Sequence, residues 1–316
     1  MTKPRPLVSL FVSCVLFAPA SSFAGQYVFT KISDQTTIPG ASAFRQNPDD
    51  GPTINDKGDV VYVVDVGAVT LVVLNSGGVE TVLADNVPFT HVSPVNNNGT
   101  VVLTSFTSLV TVGSHQSTIP GSYDRLSNGV INDNNEVAFR GRFGGSGPEA
   151  IYLASGGTIS QIAALDGAPA AINNAGQVAI LDIFDSIVVT TTTIVNAPSD
   201  PDIGNVSGPI SMNESGVVAF RGGLTGGGFG IVTGDGGPLD IFADSRGDFT
   251  VIGKPNINDH GNITFRPNVA SGNAIYTGPD PFADRVIGAG VFPVTEARTG
   301  RESLRAASPI LLRGSN

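Results

Sequence analysis

Large apolar side chains recur at every second position in short runs along most of the chain, and each run stops at a cluster of Asn, Asp and Gly. The runs starting at Val60, Val101, Val137, Val178, Val218 and Ile263 carry the pairs Val60/Tyr62, Val101/Leu103, Val137/Phe139, Val178/Ile180, Val218/Phe220 and Ile263/Phe265. A period of two is that of an extended strand. The residue between each pair is small or β-branched, as in Ala138, Ala179 and Ala219. A strand apolar on both faces is buried on both sides, and a small residue on one face lets a neighbouring sheet approach closely. Past the first 24 residues no stretch has the spacing of an amphipathic helix. The pattern predicts an all-β chain of many short strands.

The runs are copies of one unit. "INDKGDVVY" from Ile54, "VNNNGTVVL" from Val95, "INDNNEVAF" from Ile131, "INNAGQVAI" from Ile172, "MNESGVVAF" from Met212 and "INDHGNITF" from Ile257 align on Asn55, Asn96, Asn132, Asn173, Asn213 and Asn258. A spacing near forty is that of a four-stranded propeller blade. Asn at the first position of a type I turn accepts a hydrogen bond from its own backbone two residues on. Three residues later Gly58, Gly99, Gly176, Gly216 and Gly261 supply the left-handed conformation that closes a hairpin. The third copy has Asn135 there, a residue that tolerates the same conformation. Glycine corners at Ser76-Gly77-Gly78, Ser155-Gly156-Gly157 and Gly234 to Gly237 predict a second hairpin in several copies.

The expected fold is therefore a β-propeller of four-stranded blades, each about forty residues long. "YVFTKIS" from Tyr27 reads as a fourth strand with no blade before it. "LRAASPILLR" from Leu304 keeps the apolar spacing of a repeat and loses its turn residues. Together they predict a seventh, degenerate blade closed by the N-terminal strand, which would leave no exposed sheet edge; a six-bladed ring with loose ends is the alternative. At these residues the chain resembles the exported bacterial tandem-repeat proteins named for their NxxGxxAF signature. Asn213, Gly216, Ala219 and Phe220 match it fully, and Asn132, Ala138 and Phe139 match it without the glycine. The resemblance runs from about Tyr27 to Phe292 and implies an exported protein; it brings no established activity.

The first 24 residues combine basic Lys3 and Arg5, an apolar run from Leu7 to Phe17 and a small-x-small end at Ser22-Phe23-Ala24. They read as a secretory signal cleaved after Ala24, too short in the apolar run for a spanning helix. Residues 25–316 then form a single repeat domain, exported to the periplasm or beyond the cell. Cleavage removes Cys14, the one cysteine, so disulfides and thiolate metal sites are excluded. It also removes two of the 17 Lys and Arg and none of the 27 Asp and Glu, leaving a net charge of −12. That balance disfavours nucleic acid and anionic lipid as partners. Nothing after the signal is long and apolar enough to insert in a membrane, and a monomer is expected.

Candidate chemistry is sparse. There is no G-x-S-x-G nucleophile elbow, H-E-x-x-H zinc site or phosphate-binding G-x-x-x-x-G-K-[ST], and no cofactor pattern. His91, His115 and His260 are expected in different blades, so no metal site is assigned to them. The residues after the asparagines, Asp56, Asn97, Asp133, Asn174, Glu214 and Asp259, would form a partly acidic circle on one face. That circle reads as a weak calcium site or, more simply, as turn chemistry, and no dense D-x-D-x-D spacing favours calcium. Arg140, Arg221 and Arg266 follow the "VAF" or "ITF" runs at matching positions. They are the binding candidates for carboxylates or phosphates, with interblade packing against nearby acids as the other reading. Loops crossing between blades share a face with those between second and third strands, and the segments Gln46–Gly51, Ser117–Gly129, Gly141–Glu149, Gly222–Phe229 and Arg246–Lys254 fall there. Two functions compete: a non-catalytic module binding a protein or polysaccharide, and an exported hydrolase or lyase acting on a polysaccharide.

Overall fold

The computed structural model describes residues 31–34, 37–45, 51–86, 88–145, 147–164, 167–182, 185–190, 192–247, 249, 252–269, 272–279 and 284–287. Almost all regular structure in these residues is antiparallel strand, and the one helical turn is a 3-10 turn at Ala197–Ser199. The strands form consecutive blades, each an up-and-down sheet in chain order. The third blade is typical: Tyr123–Ile131, Val137–Phe143, Ala150–Ser155 and Thr158–Ala163 pair in that sequence. The second, fourth and fifth blades repeat this order. In the first blade the inner strand is split into Ala41–Phe44 and Thr53–Ile54, both paired with Val60–Val66. The sixth blade is eroded to short pairs, with Phe265 bridging Tyr276 to join its halves.

The first strands of successive blades contact one another in series, so they line a common axis and the sheets radiate from it. This is the β-propeller architecture. The alternating pattern explains the stacking. The large residues Val178 and Ile180 of the fourth blade pack against the small face of the third, at Ala138, with Val130 and Ile151. Val218 and Phe220 of the fifth blade do the same at Ala179 of the fourth. Val137 and Phe139 meet the second blade at Val102 and Leu109. The core is thus a series of interblade layers, each made by a large face on a small one.

The first blade's large face, Val60, Tyr62 and Val64, has no preceding numbered blade. Ile32, Ile38, Ala41 and Phe44 of the N-terminal segment cover it, with Phe44 and Tyr62 ring centroids 5.7 Å apart. Arg45 fixes the end of this segment by a bidentate bond to Asp65 and a bond to Thr70. Of the expected closing strand, residues 31–34 are described and carry no strand pairing; the Ile32 carbonyl accepts from Asn75 Nδ2 at 3.3 Å. The signal, the start of that strand at Tyr27 and the seventh-blade copy at 304–313 lie outside the described residues.

Two expectations need correction. Three of the expected loop segments are partly strand: Ser117–Thr118 and Tyr123–Ile131 leave only the residues between them to cross, Val137–Phe143 runs into the segment 141–149, and Val218–Leu224 and Phe229–Gly234 take both ends of the segment 222–229. His91 and His115 share the second blade rather than lying in separate ones: His91 is on its inner strand and His115 follows its third. The repeat spacing placed blades by their asparagines, and His91 precedes Asn96 within the same sheet.

Candidate functional site

Each repeated asparagine closes its own turn, and the first five then reach the next blade. The Asn96 Oδ1 accepts the Asn98 and Thr100 N–H groups, and the Gly99 N–H donates to the Asn96 carbonyl at 3.0 Å. Asn132, Asn213 and Asn258 make the same bonds, and Asn135 takes φ +59° where Gly99 takes +73°. The amide nitrogen points along the ring. Asn55 Nδ2 donates to the Asn96 carbonyl at 2.9 Å, Asn96 to that of Asn132 at 2.9 Å, and Asn132 to that of Asn173 at 3.0 Å. Asn173 donates to the Glu214 carbonyl and Asn213 to that of Asn258. Asn55, Asn96, Asn132, Asn173 and Asn213 are buried although they are polar, because the amide oxygen and nitrogen of each are hydrogen-bonded.

A second ladder runs through the next position. The N–H groups of Asp56, Asn97, Asp133, Asn174 and Glu214 donate to the side-chain oxygens of Asn97, Asp133, Asn174, Glu214 and Asp259 in turn, at 2.6 to 2.9 Å. Asn97 Nδ2 bridges the Asp56 and Asp133 carboxylates, and Asn174 Nδ2 also donates to Asp133. Asp56, Asn97, Asp133, Asn174 and Glu214 line an open depression of about 170 Å³, together with Ile54, Val95, Ile131 and Ile172.

The two inner carboxylates titrate apart. Burial pushes Asp133 up, but the Asn174 and Asn97 hydrogen bonds and the nearby Lys57 charge outweigh it and hold the carboxyl below its ordinary value. Burial and the negative charges of Asp259, Asp133 and Asp56 push Glu214 up, against one bond from the Asn174 N–H. Among the described residues no three His, Cys, Asp or Glu side chains gather as a metal-ligand set. The carboxylates are interleaved with Asn97 and Asn174 and spend their lone pairs on amides.

The arginine candidates sit on the second strands, toward the opposite, crossing-loop face. Arg140 lies opposite Ser127 and Ile151 in register, in the layer between the third and fourth blades. Its Nε is 2.5 Å from Glu149 Oε2, and Arg125 Nη1 is 3.1 Å from the other oxygen. Arg221 lies opposite Ser207 and Ile231, in the layer between the fifth and sixth blades. Its guanidinium stands 3.6 Å over the Phe229 ring, and Nη1 donates to Ser207 Oγ at 3.4 Å. Arg266 is exposed on the sixth blade. The structure therefore gives Arg140 and Arg221 equivalent places at two separate interblade layers and does not gather the three into one cluster.

Glu149 and Phe229 were missed by the sequence reading. Each stands two residues before the isoleucine that pairs with the arginine, Ile151 or Ile231. Aligning the copies on their third strands, rather than on the asparagines, exposes this swap of a carboxylate for a ring.

No protein-family model matches the chain, and no curated protein matches it. Similar solved structures include virginiamycin B lyase from Staphylococcus aureus, 16% identical with a TM-score of 0.47, covering 75% of this chain and 85% of the lyase. YCF48 from Cyanidioschyzon merolae is 13% identical with a TM-score of 0.44, over 77% of this chain and 89% of its own. The β-propeller domain of the Trilobed protease from Pyrococcus furiosus is 10% identical with a TM-score of 0.42, over 75% and 94%. At these values the likenesses assign no activity.

Proposed function

We propose that this chain is an exported, non-catalytic binding module that presents its crossing-loop face to a protein or polysaccharide partner. The observation that supports this most is the division of labour between the two faces. On the asparagine face the polar groups are committed to one another, blade to blade. On the opposite face the same register positions differ between blades, Glu149 in one and Phe229 in another, and variable loops on a rigid frame are where recognition resides. The leader-like first 24 residues and the NxxGxxAF resemblance support export. Among the described residues no helix is long and apolar enough to cross a membrane.

Capture from the native envelope fraction tests the proposal. The mature chain should retain a partner, a chain with the residues between the second and third strands, 144–149 and 225–228, replaced by scrambled sequence should lose it, and Asp56→Asn should keep it. Equal recovery by the scrambled-loop chain sinks the reading.

One observation favours a second reading, a hydrolase or lyase acting on a polysaccharide. Asp133 and Glu214 line the same depression with carboxyls displaced in opposite directions, the arrangement that separates a base from an acid. Polysaccharide turnover that vanishes in Glu214→Gln would establish it; turnover unchanged in that variant would exclude this site.

A further inference from the structure

We propose that the edge of the layer between the fifth and sixth blades, on the crossing-loop side, is a binding subsite for a single carboxylate, with Arg221 and Ser207 as its donors and Phe229 as its wall. The inference deepens the binding-module reading and rests on it.

The third blade shows the position with an acid in place. There the loop before the third strand supplies Glu149, which pairs with Arg140 and Arg125 together. In the fifth blade the register is the same: Arg221 replaces Arg140, Ser207 replaces Ser127, and Phe229 stands where Glu149 stands. The arginine is kept and its acid is gone. Asn205 and Gly223 occupy the places of Arg125 and Arg142, so no second cation remains beside it.

The consequence is a charge that is half-buried and uncompensated. Among the described residues no carboxylate lies within ion-pair distance of Arg221. Its one hydrogen bond, to Ser207, is long at 3.4 Å. The Phe229 ring meets the guanidinium face to charge, which holds the group flat but leaves its N–H edge unsatisfied. A planar fork of donors fixed against a ring matches a carboxylate bidentately. A carboxylate there would restore the pairing that Glu149 provides two blades earlier. One cation in a chain of net charge −10 suits an isolated carboxylate and opposes a polyanion.

Arginine Nε–Hε resonances of the whole mature chain provide the readout. Acetate, glucuronate and N-acetylglutamate amide are titrated at constant ionic strength, with phosphate and chloride as controls. The Arg221 resonance should move saturably with a dissociation constant on the order of 1–10 mM, well ahead of Arg266. The best of the three carboxylates distinguishes a simple acid, a sugar acid and an acidic peptide side chain as the source. Arg221→Gln, followed through the backbone amide resonances of Ser207 and Phe229, should weaken binding of that probe by roughly tenfold or more. Phe229→Glu should abolish the Arg221 response and raise the melting temperature, because it installs the missing acid. An Arg221 signal that moves no more than that of Arg266 with all three carboxylates overturns the proposal, as does an equal response to phosphate or a Phe229→Glu chain that binds like wild type. Partner capture that survives Arg221→Gln would leave the binding-module reading standing and remove this subsite alone.

Discussion

Thr190 sits at φ +52° in the hairpin of the fourth blade, where the first and third blades have glycine pairs at Gly77-Gly78 and Gly156-Gly157. A β-branched residue is strained there, yet its Oγ1 accepts the Val178 N–H at 3.2 Å, so glycine would trade strain for a lost acceptor. Asparagine tolerates the conformation and keeps an oxygen. Thr190→Asn should raise stability by about 1 kcal/mol in chemical denaturation. Titration gives a second test at this scale. Asp133 is depressed in the fold, so its contribution is present above the ordinary aspartate range and fades as pH falls through the lowered value. Glu214 is raised, so it costs stability as pH climbs from the ordinary glutamate range through its folded value. Glu214→Gln keeps an acceptor for the Asn174 N–H and removes the repulsion. Its melting temperature should rise by about 1–2 °C at neutral pH and not at a pH below the ordinary glutamate range.

Strands pack closely where the inner strand passes its neighbour. Gly129 brings its N–H to within 3.1 Å of Thr104 Oγ1, and a Cβ there would fall 2.7 Å from that oxygen and 2.8 Å from Val102 Cγ1. Gly129→Ala should therefore cost about 2 kcal/mol, read as a lower denaturant midpoint at unchanged slope. The strands and corners were legible in the sequence because alternation and turn chemistry are local: Val137/Phe139 and Asn132 with Asn135 carry their meaning within a few residues. The blade-to-blade ladders were not, since the Asn132 amide meets a carbonyl 41 residues away and no pattern within one copy says where Nδ2 points. The arginines were legible as a recurring position, but their fates depend on Glu149 and Phe229, which lie across a loop of varying composition. The inner strands of the third and fifth blades also run to nine and ten residues, longer than the short strand expected, because bulges at Ser127/Val130 and Ser207/Ser211 let them bend along the axis.

Across the whole molecule the asparagine face ties the blades together, and the crossing-loop face is the one proposed to bind. The asparagines tie five successive interblade joints, and each described carboxylate of the second ladder, out to Asp259 at its end, accepts from an amide or a main-chain N–H. The most direct measurement pairs thermal melting with partner capture for Asn132→Ala, in the middle of the ladder. Losing a buried side chain that bonds its own turn and the next blade should cost about 2–3 kcal/mol, a drop of roughly 5 °C or more, while capture per folded molecule stays at the wild-type level. An unchanged melting temperature together with lost capture would contradict the account, because the asparagine face would then be the one that binds.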